Sequence, residues 1–213
     1  MSKSWTTALR LFIILAIITG ILYPLAITVA GAILMPSQAN GSLVTVDGEL
    51  TGSLLIGQTP FQVDEDGQIA NLVAIQSYFW GRPSAVNAML GSTTEALGSS
   101  GGSNLGPTSA TLQAQVAARE AAFRAANNVP ESVAVPSDML FASGSGLDPH
   151  ISPQAAFLQV ERVAQERALP IPELEGLVRQ HIEQPLLTVL GSPSVNVLAL
   201  NLALDAMTAG QEQ

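Results

Sequence analysis

The run 11-LFIILAIITGILYPLAITVAGAIL-34 decides the fold, because its 24 residues carry no charge. At ~1.5 Å per residue, a helix of this length spans roughly 36 Å, enough to cross a hydrocarbon core of ~30 Å. The alternative is a cleaved secretory signal, with Ala30-Gly31-Ala32 as its cleavage pattern, but the apolar cores of such signals are only about 7–15 residues long. The length of the run therefore predicts a retained transmembrane helix.

The basic residues on either side of the run predict its orientation. Lys3 and Arg10 precede it, and the next basic residue is Arg82. Cytoplasmic flanks of membrane helices carry the excess of Lys and Arg. We therefore expect a cytoplasmic N-terminus at 1–10, a transmembrane helix at 11–34 and an extracytoplasmic domain at 35–213.

The part of the chain beyond the helix is acidic. It contains six of the eight basic residues and all 17 acidic ones. A surface of this charge repels a phosphate backbone, which excludes nucleic acid as a partner. The absence of cysteine excludes disulfides, thiol catalysis and cysteine metal sites. We expect the outer domain to be held by its core alone.

Capping residues and prolines predict three helices in the outer domain. Ser109 can cap a helix that runs to about Asn127. Ser152 and Pro153 begin a second helix, and Pro172 opens a third, shorter one, because proline at the first helical position loses no hydrogen bond. These helices indicate a domain with substantial α-helical content.

Two charged or titratable residues fall on the apolar sides of these helices. Arg119 lies in one stripe with Leu112, Val116 and Phe123, so its guanidinium must be paired or must reach the edge of the stripe, and we favour the edge. His181 lies in the last turn of the third helix, where an imidazole can interact with free carbonyls. We interpret His181 as structural.

Strand signals are weaker. A short β-like piece lies around Ser53-Leu54-Leu55-Ile56, and 195-VNVLALNLAL-204 alternates strongly enough to begin as a strand, with an end that the pattern leaves open. The acidic turn at 64–67 lacks the frame of a calcium loop. The fold class is α/β: one N-terminal transmembrane helix followed by a single mixed α/β extracytoplasmic domain.

The segment 143-SGSGLDPHIS-152 contains the residue types of a nucleophilic triad in Ser145, Asp148 and His150. The sequence around Ser145 lacks the spacers of a G-x-S-x-G elbow. Asp148 can instead close an Asx turn, and Ser152 can cap the following helix. We favour a turn that leads into a helix. A membrane-anchored hydrolase that uses the three residues is kept as an alternative, as is a free-standing tethered binding module.

Other patterns for catalysis or ligand binding are incomplete. The two histidines lie 31 residues apart and, without cysteine, fit no zinc spacing. The loop 98-GSSGGSNLGPTS-109 lacks the phosphate-loop frame, and the chain has no lysine beyond Lys3. The sequence therefore predicts no catalytic residue and no metal ligand, and it identifies no cofactor-binding residue.

Six blocks of sequence follow the membrane run and cover the chain nearly end to end. They are GSLLIGQ (52–58), YFWGRPSA (78–85), SGGSNLGPTS (100–109), SGSGLDPHISPQAA (143–156), QVERVAQER (159–167) and VNVLALNLALD (195–205). In this order, after a single N-terminal span, they are specific as a set. The chain resembles the C subunit of the Kdp-type potassium-transporting P-type ATPase.

The resemblance implies a single-pass subunit of a prokaryotic inner-membrane complex with three partners. These are a potassium-translocating A subunit, an ATP-hydrolysing B subunit and a small F subunit. It implies that the C subunit has no active site of its own and is needed for assembly and activity. It further implies a catalytic chaperone that raises the ATP affinity of the B subunit, so that ATP enters through that subunit only.

The blocks supply a set of candidate family-motif or interface residues. They are Gly81, Arg82, Pro83, Ser103, Asn104, Arg119, Gly146, Leu147, Asp148, His150, Ser152, Asn196 and Asn201.

Overall fold

The computed structural model describes residues 3–46, 48–58, 61–63, 69–84, 100–185 and 190–209. The acidic turn at 64–67 lies outside them. The chain divides into two compact units, Met1–Leu50 and Thr51–Gln213.

The first unit is dominated by one long apolar helix. Its parts are α1 (Lys3–Ile17), a π-helical turn (Ile18–Leu22) and α2 (Tyr23–Leu34). Among the described residues, this is the one helix long and apolar enough to cross a membrane, over Ser4–Leu34. The predicted run 11–34 lies within it. The π-helical turn ends two residues before Pro24, which has no N–H to donate to the turn before it.

Two threonine hydroxyl groups of this helix are satisfied within it. Thr19 Oγ1 donates to the carbonyl of Leu15 and Thr28 Oγ1 donates to that of Pro24, each at 2.8 Å. Neither hydroxyl therefore needs a partner from outside the helix. A short helix, α3 (Pro36–Ala39), follows.

The described strands are short and form three small sheets. The first pairs β1 (Leu43–Val46) with β2 (Glu49–Ser53), and the second pairs β3 (Phe61–Val63) antiparallel to β4 (Ile69–Ala74). The third consists of β5 (His150–Ile151), β6 (Ile182–Glu183) and β7 (Ser194–Asn196) in the antiparallel order β5-β7-β6.

The strand predicted around 53–56 is wrong in position. The strand ends at Ser53, and the chain then turns, because Ser53 itself closes the turn. Its carbonyl accepts from Ile56 N at 3.1 Å and its hydroxyl accepts from Leu55 N at 3.1 Å.

Five helices and a 3-10 turn complete the described part of the second unit. They are α4 (Ala110–Asn127), the 3-10 turn (Ser137–Met139), α5 (Pro153–Phe157), α6 (Val160–Arg167), α7 (Ile171–Gln180) and α8 (Val197–Ala209). Both predicted serine caps are confirmed. Ser109 Oγ accepts from Leu112 N at 3.3 Å, and Ser152 Oγ accepts from Ala155 N at 3.1 Å. The predicted second helix is divided into α5 and α6.

The segment 195–204 is a strand only through Asn196. From Val197 the chain is helical, because Asn196 Oδ1 accepts from Ala199 N at 3.1 Å and so acts as an N-cap. Val197 N donates to the carbonyl of Pro149 at 3.0 Å, which ties the start of α8 to the loop before β5.

The core of the second unit lies between the four C-terminal helices and the three-stranded sheet. Helices α5 and α8 pack on β7, and α7 packs on α5, α6 and α8. The largest fully buried apolar side chains are Ile151, Val163, Leu174, Val178, Val195, Leu200 and Leu204. The fold is a mixed α/β domain with one N-terminal apolar helix.

Candidate functional site

The loop 143–149, here called the junction loop, binds segments from three other sequence blocks through consecutive backbone carbonyls. Its acceptors are Ser145 O for Gly101 N (2.8 Å) and Ser100 Oγ (3.0 Å), Gly146 O for Ser84 Oγ (2.7 Å), and Leu147 O for Gly57 N (2.8 Å). A fourth block joins where Val197 N donates to Pro149 O. Blocks that are far apart in sequence therefore meet at one loop.

Two glycines allow this close approach. A Cβ at Gly57 would lie 2.6 Å from the carbonyl oxygen of Asp148, closer than any side-chain carbon is tolerated. A Cβ at Gly102 would lie 3.2 Å from the carbonyl oxygen of Gly144. Since the neighbouring atoms belong to the backbone, they cannot move aside without displacing the loop.

Asp148 connects the junction loop to the block 78–85, here called the aromatic block. Its Oδ2 accepts from Arg82 Nη1 at 2.8 Å. Its Oδ1 accepts from the backbone N of His150 at 3.0 Å, which is the predicted Asx turn. Both side chains of the Arg82–Asp148 pair are mostly shielded from solvent, which strengthens their attraction relative to a fully exposed pair.

The structure does not bring Ser145, Asp148 and His150 into a nucleophilic arrangement. His150 Nδ1 lies 3.5 Å from Asp148 Oδ1, and Nε2 lies 3.7 Å from Glu183 Oε2, so both ring nitrogens face carboxylates. Ser145 Oγ accepts from Leu147 N at 3.1 Å and lies 3.5 Å from Ser143 Oγ. The serine is occupied locally, and the base that a hydrolase needs faces elsewhere.

Asp138 fixes the start of α5. Its Oδ2 accepts from the backbone N of Ser152 at 2.6 Å, and its Oδ1 accepts from Ser152 Oγ at 3.2 Å. Since the same hydroxyl oxygen accepts from Ala155 N, Ser152 links the carboxylate to the helix.

Phe79 and Trp80 of the aromatic block are held by side-chain amides that replace a neighbouring strand. Asn201 accepts from Phe79 N at 2.9 Å and donates to Phe79 O at 3.0 Å. Gln159 accepts from Trp80 N at 2.7 Å and donates to Trp80 O at 3.2 Å. Each amide pairs with both polar groups of one residue, so the extended segment is satisfied without a strand partner.

Arg162 binds the start of the aromatic block and the residues before it, and its side chain is almost fully buried. Its donors reach Asn127 Oδ1 (2.8 Å), Gln159 Oε1 (2.8 Å) and the carbonyls of Gln76 and Tyr78. Its guanidinium lies 4.2 Å from the centroid of the Trp80 ring. Burial lowers the pKa of Arg162 to about 10, partly opposed by the charge of Glu166.

Arg167 holds the first residues of the same segment. It donates to the carbonyl of Ser77 at 2.9 Å and to Asp205 Oδ1 at 2.7 Å, and its guanidinium lies 4.5 Å from the centroid of the Tyr78 ring. The Tyr78 hydroxyl donates to Asp205 Oδ2 at 3.1 Å. Burial, and then the negative charge of Asp205, raise the pKa of Tyr78.

A cavity of about 200 Å³ lies beside the aromatic block. Its apolar lining includes Phe79, Trp80, Val197 and Leu198. Asp205 is the carboxylate among the described lining residues. Among the residues that the structure describes, no group of three or more His, Cys, Asp or Glu side chains could hold a metal ion.

The structure brings most of the sequence candidates together, but not all. Arg82, Gly146, Leu147, Asp148 and His150 lie at the junction loop or contact it directly. Gly81 and Pro83 flank Arg82, and a Cβ at Gly81 would make an ordinary contact of 3.6 Å with Gln58 O. Asn196 Nδ2 donates to the carbonyl of Leu54 at 2.7 Å, and Asn201 holds Phe79.

Three candidates have local roles instead. Ser103 Oγ accepts from Leu105 N at 3.5 Å, and Asn104 adopts a left-handed backbone conformation with φ 52°. Arg119 donates to the carbonyl of Leu140 at 2.9 Å, and burial lowers its pKa. The guanidinium is thus paired, which is the first of the two possibilities for an arginine in this apolar stripe.

Four residues that hold the site were missed by the sequence candidates: Gln159, Arg162, Arg167 and Asp138. Arg162 carried a usable signal, because it lies between Val160 and Val163 on the buried side of α6, where an arginine requires partners. The other three occupy ordinary helix or turn positions, and nothing in their local pattern distinguishes them.

Comparison with known proteins places the whole chain in one group. A family model described as "KdpC: K+-transporting ATPase, c chain" matches residues 5–206. The chain is 43% identical over 206 residues to a potassium-transporting ATPase KdpC subunit of Synechocystis, covering 96% of this chain and 99% of the relative. It is 49% identical over 199 residues to one of Sorangium cellulosum, covering 93% and 95%. It is 45% identical over 208 residues to one of Methylococcus capsulatus, covering 97% and 100%.

Proposed function

The chain belongs to the KdpC family, the c chains of K+-transporting ATPases, and we propose that it serves the potassium uptake complex as an accessory subunit that acts through contacts rather than through chemistry of its own. The complex couples potassium uptake to ATP hydrolysis by another subunit. This chain supplies a membrane helix and a folded domain that hold the assembly in its active form.

The junction loop is the observation that carries this proposal. The most characteristic blocks of the sequence converge on it, yet they do so through backbone carbonyls, close glycine contacts and one ion pair. Such an arrangement makes a rigid surface, whereas a reactive site would present an activated nucleophile or a free acid and base. The side chains of the block residues define the shape of the domain.

The hydrogen bonds of the arginines support an indirect effect of this chain on ATP binding. The second unit has six of them, and each donates a hydrogen bond within the chain: Arg82, Arg119, Arg124, Arg162, Arg167 and Arg179. Phosphate binding in proteins usually relies on available cationic side chains. We therefore assign nucleotide binding to the ATP-hydrolysing B subunit, whose ATP affinity this chain raises as a catalytic chaperone through subunit contacts.

The apolar helix and its flanking charges support a single-pass topology. Residues 1–10 lie in the cytoplasm, residues 11–34 cross the inner membrane of a prokaryotic cell, and residues 35–213 lie outside. The partners are the potassium-translocating A subunit, the B subunit and a small F subunit. Contact with the B subunit's nucleotide domain from outside is then impossible, so an effect on ATP affinity passes through the membrane-embedded parts.

Deletion of the chain in its own host tests the function. We expect loss of ATP-dependent uptake at micromolar external potassium, and recovery when the full chain is supplied from a plasmid. Purification of a tagged chain in mild detergent should recover two large membrane subunits in fixed ratio. A solitary chain, together with unimpaired uptake in the deletion strain, would show that the proposed function is wrong.

Protease added outside sealed spheroplasts tests the topology. We expect digestion of the domain after residue 36 and protection of the residues before it. Digestion of an N-terminal tag, with the domain after residue 36 protected, would show that the orientation is the opposite of the one proposed.

A further inference from the structure

The backbone carbonyl of Thr19 lacks its regular donors within the membrane helix. Its α-helical donor would be the N–H of Tyr23, which donates instead to the carbonyl of Ile18 at the end of the π-helical turn. Its π-helical donor would be residue 24, and Pro24 has no N–H. The same proline also deprives the carbonyl of Gly20 of its α-helical donor. The π-helical turn therefore satisfies Ile18 and leaves Thr19 open.

This carbonyl lies well inside the apolar run. Thr19 is eight residues from Leu11 and 15 from Leu34, the two ends of that run. At ~1.5 Å per residue these separations are roughly 12 and 22 Å, in a hydrocarbon core of ~30 Å. Lipid tails have no donor, and a backbone polar group without a partner is strongly unfavourable in hydrocarbon. A donor must therefore come from a molecule other than lipid.

The side-chain hydroxyls of the two threonines nearby do not supply this donor. Thr19 Oγ1 donates to the carbonyl of Leu15, and Thr28 Oγ1 donates to that of Pro24. In the described part of the chain, the side chains around the open carbonyl are exposed, and that of Tyr23 is 63% exposed. The carbonyl is thus accessible to a neighbouring molecule in the membrane.

We propose that the Thr19 carbonyl accepts a hydrogen bond from a hydroxyl or amide side chain of another membrane helix. Serine, threonine, asparagine and glutamine side chains form such bonds between membrane helices. A lysine or arginine donor is disfavoured, because a charge at this depth is costly. The inference rests on the proposed function for the presence of neighbouring helices, and it adds the accepting atom and the chemistry of the donor.

Carbon-13 NMR of this carbonyl tests the proposal. The sequence has two Thr-Gly pairs, Thr19-Gly20 and Thr51-Gly52, so a Thr51→Ser background keeps the first alone. With carbonyl-13C threonine and 15N glycine, the full chain then gives one resonance from a bonded 13C–15N pair. Spectra are compared for the chain alone in phosphatidylethanolamine/phosphatidylglycerol vesicles and for the chain assembled with unlabelled partner subunits from the deletion strain.

Gly31 provides the matched control. Gly31-Ala32 is the one Gly-Ala pair in the sequence, so labelled glycine and alanine report its carbonyl alone. This carbonyl already accepts from Met35 N at 2.9 Å. We expect the Thr19 resonance to move downfield on assembly, because a hydrogen bond withdraws electron density from the carbonyl carbon, and the Gly31 resonance to stay in place.

Three other outcomes are decisive. An unmoved Thr19 resonance in an assembled complex would overturn the inference and leave the proposed function intact. A downfield shift in the chain alone, appearing as the ratio of protein to lipid is raised, would show that a second copy donates and would also overturn it. A chain that recovers no partner subunit would overturn both the inference and the proposed function.

Pro24→Ala tests the same bond by filling the acceptor from within the chain. The alanine N–H lets the α-helical pattern continue, so that Tyr23 N donates to the Thr19 carbonyl. We expect the Thr19 resonance of this variant to lie downfield already in the chain alone. The dissociation constant of the chain, measured by dilution of the purified complex in detergent, should rise about threefold to tenfold, as for the loss of one hydrogen bond between membrane helices.

Pro36→Ala is the control for the proline substitution. Pro36 opens α3, where a backbone N–H has no partner within the helix, so this variant should dissociate like the wild type. A Pro24→Ala chain that is held as tightly as the wild type would overturn the inference.

Discussion

Arg82 Nη1 donates a 2.8 Å hydrogen bond to Asp148 Oδ2, and this pair joins two blocks that lie 66 residues apart in the chain. Asp148 also accepts from the backbone of His150, so one carboxylate fixes both the direction of the junction loop and the position of the aromatic block. The consequence is that this loop and the aromatic block should lose stability together.

Replacement of Asp148 should destabilise the folded domain. We expect Asp148→Asn to cost about 1 kcal/mol by removing the ion pair, and Asp148→Ala about 2 kcal/mol, because the N–H of His150 then also loses its acceptor. Thermal unfolding of the full chain in detergent, followed by circular dichroism, measures both. The control is Glu175→Gln, which removes the pair with the well-exposed Arg179. A cost as small as that of the control would contradict the role given to Asp148.

Replacement of Gly57 should be costly for a different reason. In Gly57→Ala the new methyl group would lie 2.6 Å from the carbonyl oxygen of Asp148, so the two segments must separate. We expect a loss of about 1–3 kcal/mol, as for other overpacked sites. Gly106→Ala is the matched control, because no atom lies within 4 Å of its new Cβ. Equal unfolding midpoints for the two variants would show that the junction loop accommodates a methyl group at residue 57 without loss of stability.

Features that depend on neighbouring residues could be predicted from the sequence. The caps at Ser109 and Ser152 and the Asx turn at Asp148 each involve residues two or three positions apart, so their residue types determine them. The membrane-helix candidate at 11–34 could also be predicted, because length and composition alone identify such a helix.

Features that depend on distant residues could not be predicted. The alternation in 195–204 is compatible with a strand. Asn196 caps the helix that follows, and the bond from Val197 N to Pro149 O adds a contact with a distant part of the chain at the helix start. The amide pairing of Gln159 with Trp80 spans 79 residues, and that of Asn201 with Phe79 spans 122. The spacing of residues in a single sequence does not indicate such pairs. The blocks could therefore be identified from the sequence, but their convergence on the junction loop could not be predicted.

Arg162 should not tolerate replacement by lysine. A lysine ammonium keeps the charge but cannot donate in the directions of Asn127, Gln159 and the two backbone carbonyls at once. We expect Arg162→Lys to cost about 3 kcal/mol, since buried acceptors lose their partners. Chemical denaturation of the full chain measures this. Arg119→Lys, where one carbonyl bond is lost at a half-buried site, should cost about 1 kcal/mol and serves as the control.

Potassium uptake should not depend on the hydroxyl of Ser145. The side chain accepts from Leu147 N, and both nitrogens of His150 face carboxylates instead of the serine. We expect Ser145→Ala to retain wild-type uptake in the deletion strain, with subunit levels checked by immunoblot. Loss of uptake in a normally assembled complex would instead support a hydrolase that uses Ser145, Asp148 and His150.

Tyr78 should resist ionisation in the folded protein. The chain has two tyrosines, so in a Tyr23→Phe background the absorbance of tyrosinate reports Tyr78 alone. Burial and the charge of Asp205 raise its pKa above the ordinary value of 10.0. The stabilisation that follows is fully present below pH 10 and is lost as the pH rises through the folded pKa, because the unfolded chain releases the proton first.

Replacement of Asp205 tests directly whether its charge contributes to the raised pKa of Tyr78. Asp205→Asn removes the negative charge beside the Tyr78 hydroxyl, so the midpoint of the Tyr78 titration should fall. Circular dichroism at each pH restricts the titration to folded protein. Glu161→Gln, which removes an exposed charge elsewhere, is the control and should leave the midpoint in place. A midpoint that Asp205→Asn leaves unchanged would show that the hydroxyl and the carboxylate do not interact as described.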